Sequence, residues 1–188
     1  MRILTRVRDG ETPVTRSTTP TRKTLLGLTV LLLVLVGGVA VWTTTCPCNQ
    51  TPGFMLLGDV QTRPVTDWSF VNDVPLCQIQ VSALGLPHSV NLNCMATPDG
   101  QLFLSCSGCE RKFWGRHVKD NDQGRLRLNG RVYPVVFNRV TDQAVLDRAW
   151  AARVKKLQVY GGGPYNPVPP PDAKRPKEWS TFQLRSAI

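Results

Sequence analysis

Nineteen consecutive residues without a charge, Thr24 to Trp42 ("TLLGLTVLLLVLVGGVAVW"), constrain this chain more than any other stretch. As a helix they extend about 28 Å, close to the hydrocarbon thickness of a bilayer. Arg22 and Lys23 mark one end, and Trp42 suits the far interface. The other reading, a buried core helix, fits poorly with the Gly37-Gly38 pair inside an unbroken apolar run. Residues 1–23 carry six basic side chains against Asp9 and Glu11, a net +4, whereas "TTTCPCNQTPG" beyond the run is uncharged. The positive-inside rule then predicts a cytoplasmic N-terminus and an exported remainder. A cleaved signal peptide would have a shorter apolar core and a small-residue cleavage site. The run is too long and lacks an A-x-A sequence, so an uncleaved anchor is expected.

The formal charge of the whole chain is +10, of which +6 falls on the expected exported part. That excess is scattered in small groups (Arg111, Lys112 and Arg116; Arg125, Arg127 and Arg131; Arg153, Lys155 and Lys156) rather than gathered into a motif. Nucleic acid is therefore not an expected partner. Attraction to anionic headgroups explains the excess more simply.

Beyond a Thr/Pro/Gly-rich connector over 43–66, the pattern changes to alternation of period two. Cys77, Ile79 and Val81 fall on one face of a first strand, and Val90, Leu92, Cys94 and Ala96 on one face of a second. Leu102, Leu104 and Cys106 do the same in a third. "PDG" (98–100) predicts a three-residue hairpin pairing Thr97 with Gln101. Across "ALGLPH" the apolar faces match as Val81 with Val90, Ile79 with Leu92 and Cys77 with Cys94, which predicts that the two cysteines are cross-strand neighbours. Ser107 and Glu110 have capping-box spacing, so a helix is expected from Ser107 to about Lys119, stopped by "NDQG". A second hairpin, Arg125–Asn129 with Arg131–Val140, turns at Asn129-Gly130. Asp142 caps a helix whose core residues are Val145, Leu146, Ala149, Trp150, Val154 and Leu157. A Gly/Pro-rich linker (161–177) precedes a closing strand, "EWSTFQL" (178–184). The fold class is mainly β: a small antiparallel barrel with two or three helices, preceded by one transmembrane helix.

The succession "DWSFVNDV", "LPHSVNLNCMATPDGQLFLSCS" and "KFWGRHVKDNDQGRLRLNGRVYPVVFNRVTD", with a closing aromatic strand, resembles the flavin-binding split-barrel superfamily. That group includes pyridoxamine-phosphate oxidases and deazaflavin-dependent reductases. The closest likeness is to a poorly characterised, membrane-anchored branch. The resemblance covers 67–186 and is most specific over 99–140. It implies a split barrel, an FMN or related flavin or deazaflavin cofactor, and pairing of two barrels as a homodimer. The phosphate would lie against Ser105, Ser107, Arg111 and Lys112, where hydroxyls, basic side chains and a helix start can donate to it. Trp114, Trp150 and Trp179 are candidates for stacking on a planar ring, with packing between helix and barrel as the alternative. The exported setting, the six cysteines and the lack of a recognisable substrate motif depart from the superfamily.

All six cysteines (Cys46, Cys48, Cys77, Cys94, Cys106 and Cys109) lie beyond the apolar run, and an even number in an oxidising compartment suggests disulfides. Metal binding is not expected, because neither His88 nor His117 has ligand spacing to a cysteine pair. A reactive dithiol at Cys106 and Cys109, beside Arg111, remains open next to structural staples and buried thiols. The domains expected are a cytoplasmic tail (1–23), a transmembrane helix (24–42), a connector (43–66) and a split barrel (67–186). Two functions stand: a flavin-binding module or oxidoreductase held at the membrane, or a non-catalytic anchored scaffold.

Overall fold

A computed structural model describes residues 21–188. The basic tail expected over 1–23 falls, up to residue 20, outside the described residues. The first element is an α-helix, α1 (Arg22–Thr45), with none of its residues buried. Its most apolar 18-residue window has a mean hydropathy of 2.6, so by length and composition it is able to cross a membrane. Contacts divide the chain between Gly38 and Val39. The unit from Val39 onward contains both apolar cores and the three cysteine pairs.

This second unit is an eight-stranded sheet: β1 (Asp59–Val60), β2 (Cys77–Ala83), β3 (Leu86–Leu92), β4 (Cys94–Ala96), β5 (Leu102–Ser107), β6 (Asp122–Leu128), β7 (Arg131–Arg139) and β8 (Trp179–Ser186). The strands run in the order β3-β2-β6-β7-β8-β5-β4, with β1 parallel to the start of β7. The two outermost strands, β3 and β4, are consecutive in the chain and separated only by Asn93. The sheet therefore curls round until its edges meet through one residue, which is the split barrel the sequence predicts.

Turn chemistry sets most of the register. Asn129 and Gly130 both have positive φ (47° and 77°), the twist a two-residue hairpin needs, and Leu128 pairs with Arg131 across them. In "PDG", Gly100 takes φ 76° and Thr97 N–H donates to Gln101 O at 3.0 Å, as expected. The closing strand is not an edge: β8 fills the gap between β7 and β5.

Inward residues from every long strand meet in one core. Ile79, Leu104, Leu126, Val135, Phe137 and Leu184 are almost wholly buried there. Trp68, just before a 3-10 helix (Ser69–Asp73), plugs the same core. On the outer face Met95 and Phe103 pack against Ala149 of α3 (Gln143–Tyr160). Asp142 caps α3 as predicted, its carboxylate accepting from Val145 N–H at 2.9 Å. The Gly/Pro-rich segment runs back along α3: Gln158 Nε2 donates to Pro169 O and Trp150 Nε1 to Ala173 O, both at 2.6 Å.

Three expectations need correction. The β2–β3 register is offset by two residues: Ile79 faces Val90, Val81 faces His88 and Cys77 faces Leu92. The strands pair right up to a tight Leu84-Gly85 turn (φ 53° and 79°), where an open loop was expected. A shift of two preserves every inward face, so Cys94, one step past the bend at Asn93, still reaches Cys77 as a disulfide with Cα atoms 6.0 Å apart. Second, no helix runs from Ser107 to Lys119. Ser107 is the last residue of β5, Gly108 turns at φ 54°, and a 3-10 turn (Cys109–Arg111) leads into the five-residue α2 (Phe113–His117). Ser107 caps nothing, because strand pairing with Trp179 holds it extended. Third, "DQG" belongs to β6, which begins at Asp122. Gly124 is needed there because a Cβ would collide with Gln80 O and the Phe137 ring.

Because Cys77–Cys94 closes a 17-residue separation, the double substitution Cys77→Ser/Cys94→Ser should cost about 3 kcal/mol. A lowered denaturant midpoint under non-reducing conditions would register it. An unchanged midpoint would mean the bond contributes nothing to the barrel.

Candidate anion-binding site beneath the long helix

The outer face of β5 and β8 carries a row of paired positions: Phe103 with Gln183, Ser105 with Thr181, and Ser107 with Trp179. Phe103 touches α3 at Ala149. One helical turn later comes Arg153, only 5% exposed. Its guanidinium carbon lies 4.5 Å from the Trp179 ring centre, a cation–π distance. Arg153 Nε and Nη1 are buried with no hydrogen-bond partner among the described residues. Burial pushes its pKa down to about 10. Leaving such a group unpaired costs several kcal/mol, so a buried guanidinium with idle donors calls for an anion.

Its surroundings are also short of partners. Ser105, one rung from Trp179 and so about 7 Å along the strand, has a buried hydroxyl with no partner. Extending the β4–β5 register by one residue sets Asn93 opposite Ser105. Asn93 is 5% exposed and its side-chain carbonyl is likewise unpartnered. Lys112, at the start of α2, is exposed at the edge. Burial of its head group, and then the Arg153 charge, hold its pKa below the usual lysine range. Two idle guanidinium donors, a hydroxyl and an ammonium whose charge is felt at Arg153 are groups of the kind that donate to a phosphate-like anion.

Of the residues predicted for a cofactor phosphate, Ser105 is therefore one rung from the Trp179 ring that Arg153 covers, and Lys112 is within reach of the Arg153 charge. Ser107 is half-buried on the adjoining rung and makes no cap. Arg111 is exposed and folds back over Gly108, where a Cβ would lie 2.7 Å from Nη2. Trp114 is not available for stacking on a ring: it is buried in the barrel core, its ring centre 6.0 Å from that of Phe182. Trp150 and Trp179 stack edge-on against each other at 5.2 Å. The cysteines form pairs: Cys106 with Cys109 (Cα atoms 5.6 Å apart) inside the core, and Cys46 with Cys48 (4.3 Å) in the connector. With Cys106 and Cys109 at most 3% exposed, that pair sits as a staple rather than an accessible dithiol.

Arg153 itself was missed. The signal was present: Leu146, Ala149, Arg153 and Leu157 recur at helical spacing, so a cation stands on the apolar stripe of α3.

No protein-family description matches the chain, and no curated protein matches it. Among solved structures, it is similar to the FAD binding protein from Mycobacterium smegmatis, with 13% identity and a TM-score of 0.40. That match covers 64% of this chain and 88% of the other. It is also similar to a proposed 5-nitroimidazole antibiotic resistance protein from Bacteroides thetaiotaomicron, with 10% identity and a TM-score of 0.44, covering 76% and 92%.

If Arg153 serves a ligand rather than the fold, Arg153→Met should be neutral or stabilising in ligand-free protein, because a buried unpaired charge gives way to a side chain of similar length. Thermal unfolding in phosphate-free buffer at pH 7 checks this. A drop in midpoint of several degrees would make Arg153 a structural residue.

Proposed function

We propose that this chain is a membrane-anchored split-barrel protein that binds a phosphate-bearing cofactor of the flavin class on its exported domain. The observation that carries the reading is Arg153: a buried guanidinium with two idle donors, on the same outer face as the unpartnered hydroxyl of Ser105 and within the field of Lys112. These groups fit a terminal phosphate. The flavin part rests on the sequence resemblance to flavin-binding split barrels. The ring is not assigned a seat, since Trp114, Trp150 and Trp179 are engaged with other side chains.

In this reading α1 spans the bilayer with the basic tail in the cytoplasm. The three cysteine pairs suit an oxidising compartment on the other side. Two copies would pair through their barrels, as the resemblance implies, and nucleic acid is not expected as a partner. A non-catalytic scaffold is the competing reading, favoured by the engagement of all three candidate tryptophans with other side chains.

Flavin mononucleotide and riboflavin separate these readings, because they share a ring and differ by the phosphate. Calorimetry on the full chain in lipid nanodiscs should show flavin mononucleotide binding at least tenfold more tightly than riboflavin. Arg153→Met and Lys112→Met should each weaken it about tenfold or more. Binding of neither flavin by the wild type would leave the scaffold reading. For topology, a phosphatase fused after Ile188 should be active and a fluorescent-protein fusion dark; the reverse pattern would place the barrel in the cytoplasm.

A further inference from the structure

On the flank of α3 away from Arg153, a groove of about 770 Å³ opens between the helix, the Ala96–Asp99 turn and the 3-10 helix that follows Trp68. That volume is within the range of small-molecule sites. Its walls are mostly apolar, with Ala96, Pro98, Ala151, Ala152 and Val159 contributing. Its polar members divide into those already satisfied and those not. Asn72 is used up: its amide donates to Ala96 O at 3.0 Å and its carbonyl accepts from Ala96 N–H at 2.9 Å. Ser69 donates to Asp67 at 2.6 Å. Asp99 accepts from Gln101 at 2.7 Å, and the charge of Arg148 acts on it. The acid and Arg148 thus offset one another, and Lys155 and Lys156 remain as surplus positive charge.

Lys156 is the unusual member. It is 4% exposed, and its ammonium donates to Val71 O at 2.7 Å and to Cys94 O. Among the described residues, the third ammonium hydrogen has only the Cys94 sulfur, 4.0 Å away and bound in a disulfide, as a weak acceptor. Burial brings its pKa down to about 8, with Asp73 opposing and Arg153 adding to the shift. A buried cation whose charge Asp73 offsets only in part, at the side of an apolar groove with a second lysine at the rim, has the composition of a site for an apolar anion.

We infer that this groove binds a small molecule with an apolar body and a single carboxylate, the carboxylate lying toward Lys155 and Lys156 and the body against Ala151, Ala152 and Pro98. The site is separate from the Arg153 receptor and does not rest on the flavin reading.

2-Naphthoate and its uncharged analogue 2-naphthamide test it, since they share a shape and differ in charge. Calorimetry on the full chain in lipid nanodiscs, with empty nanodiscs subtracted, should show the naphthoate bound at least tenfold more tightly than the amide. Ala151→Phe, at an exposed wall position, should abolish naphthoate binding while leaving the thermal midpoint and flavin mononucleotide binding unchanged. Lys155→Met, also exposed, should shrink the preference for the acid several-fold, which avoids dependence on a buried substitution at Lys156. Arg153→Met should lower naphthoate affinity less than Lys155→Met does. Equal affinity for acid and amide, undiminished binding in Ala151→Phe, or no binding to the wild type would each overturn the inference.

Discussion

The barrel closes through a single residue. Asn93 joins the two outermost strands of the sheet, so the chain itself, rather than a ladder of hydrogen bonds, seals β3 to β4. Much else depends on that bend. It turns Cys94 inward beside Cys77, where the disulfide ties β2 to β4, the strand at the other end of the sheet order. It also leaves the side chain of Asn93 buried without a partner for its carbonyl. The curl lets the inner face bury one continuous core, while α3 covers β4 and β5 from outside. Edge strands are normally a liability, and closure removes most of it.

Covering the outer face with α3 creates the electrostatic problem that defines the chemistry. Helix-on-sheet packing asks for apolar residues, and Met95, Phe103 and Ala149 supply them at one level. At the next levels the helix offers Arg153 and Lys156 instead, both nearly buried. The two cations are treated differently. Lys156 is held by backbone carbonyls of Val71 and Cys94, which compensate part of its desolvation. Arg153 has an aromatic face and idle donors. For a basic group whose pKa is lowered on folding, the charged form costs stability at every pH below the folded value. That cost is relieved only as pH rises through it, about 8 for Lys156 and about 10 for Arg153. A bound anion would relieve it at neutral pH and so couple ligand binding to stability.

What the sequence revealed was mostly local. Asn129-Gly130, "PDG" and Asp142 each act over four or five residues, and each behaves as its chemistry dictates. Strand faces were legible because their period is two, so even the two-residue error in the β2–β3 register left every inward residue inward. The misreadings arose where distant contacts decide. "SVNLNCMAT" alternates without interruption, yet it is broken at Asn93 because its two halves pair with different strands. Ser107 and Glu110 have the spacing of a cap, but pairing with Trp179 keeps Ser107 in a strand. The proposed phosphate site was half legible. Ser105 and, at the edge, Lys112 belong to it, whereas Arg153 is about 40 residues further on and is brought to them only by α3 crossing the sheet.

The account turns on whether Arg153 receives an anion, and its own Nε–H proton reports this directly. In a proton–nitrogen correlation spectrum of the full chain in nanodiscs, titration with inorganic phosphate should move the Arg153 Nε–H resonance downfield and saturably. The signal would be assigned by its loss in Arg153→Met. Arg111, exposed and packed over Gly108, should move little and without saturation. If the Arg153 resonance stays in place while phosphate rises to levels that shift exposed arginines, no anion reaches the buried guanidinium, and Arg153 is not a phosphate ligand.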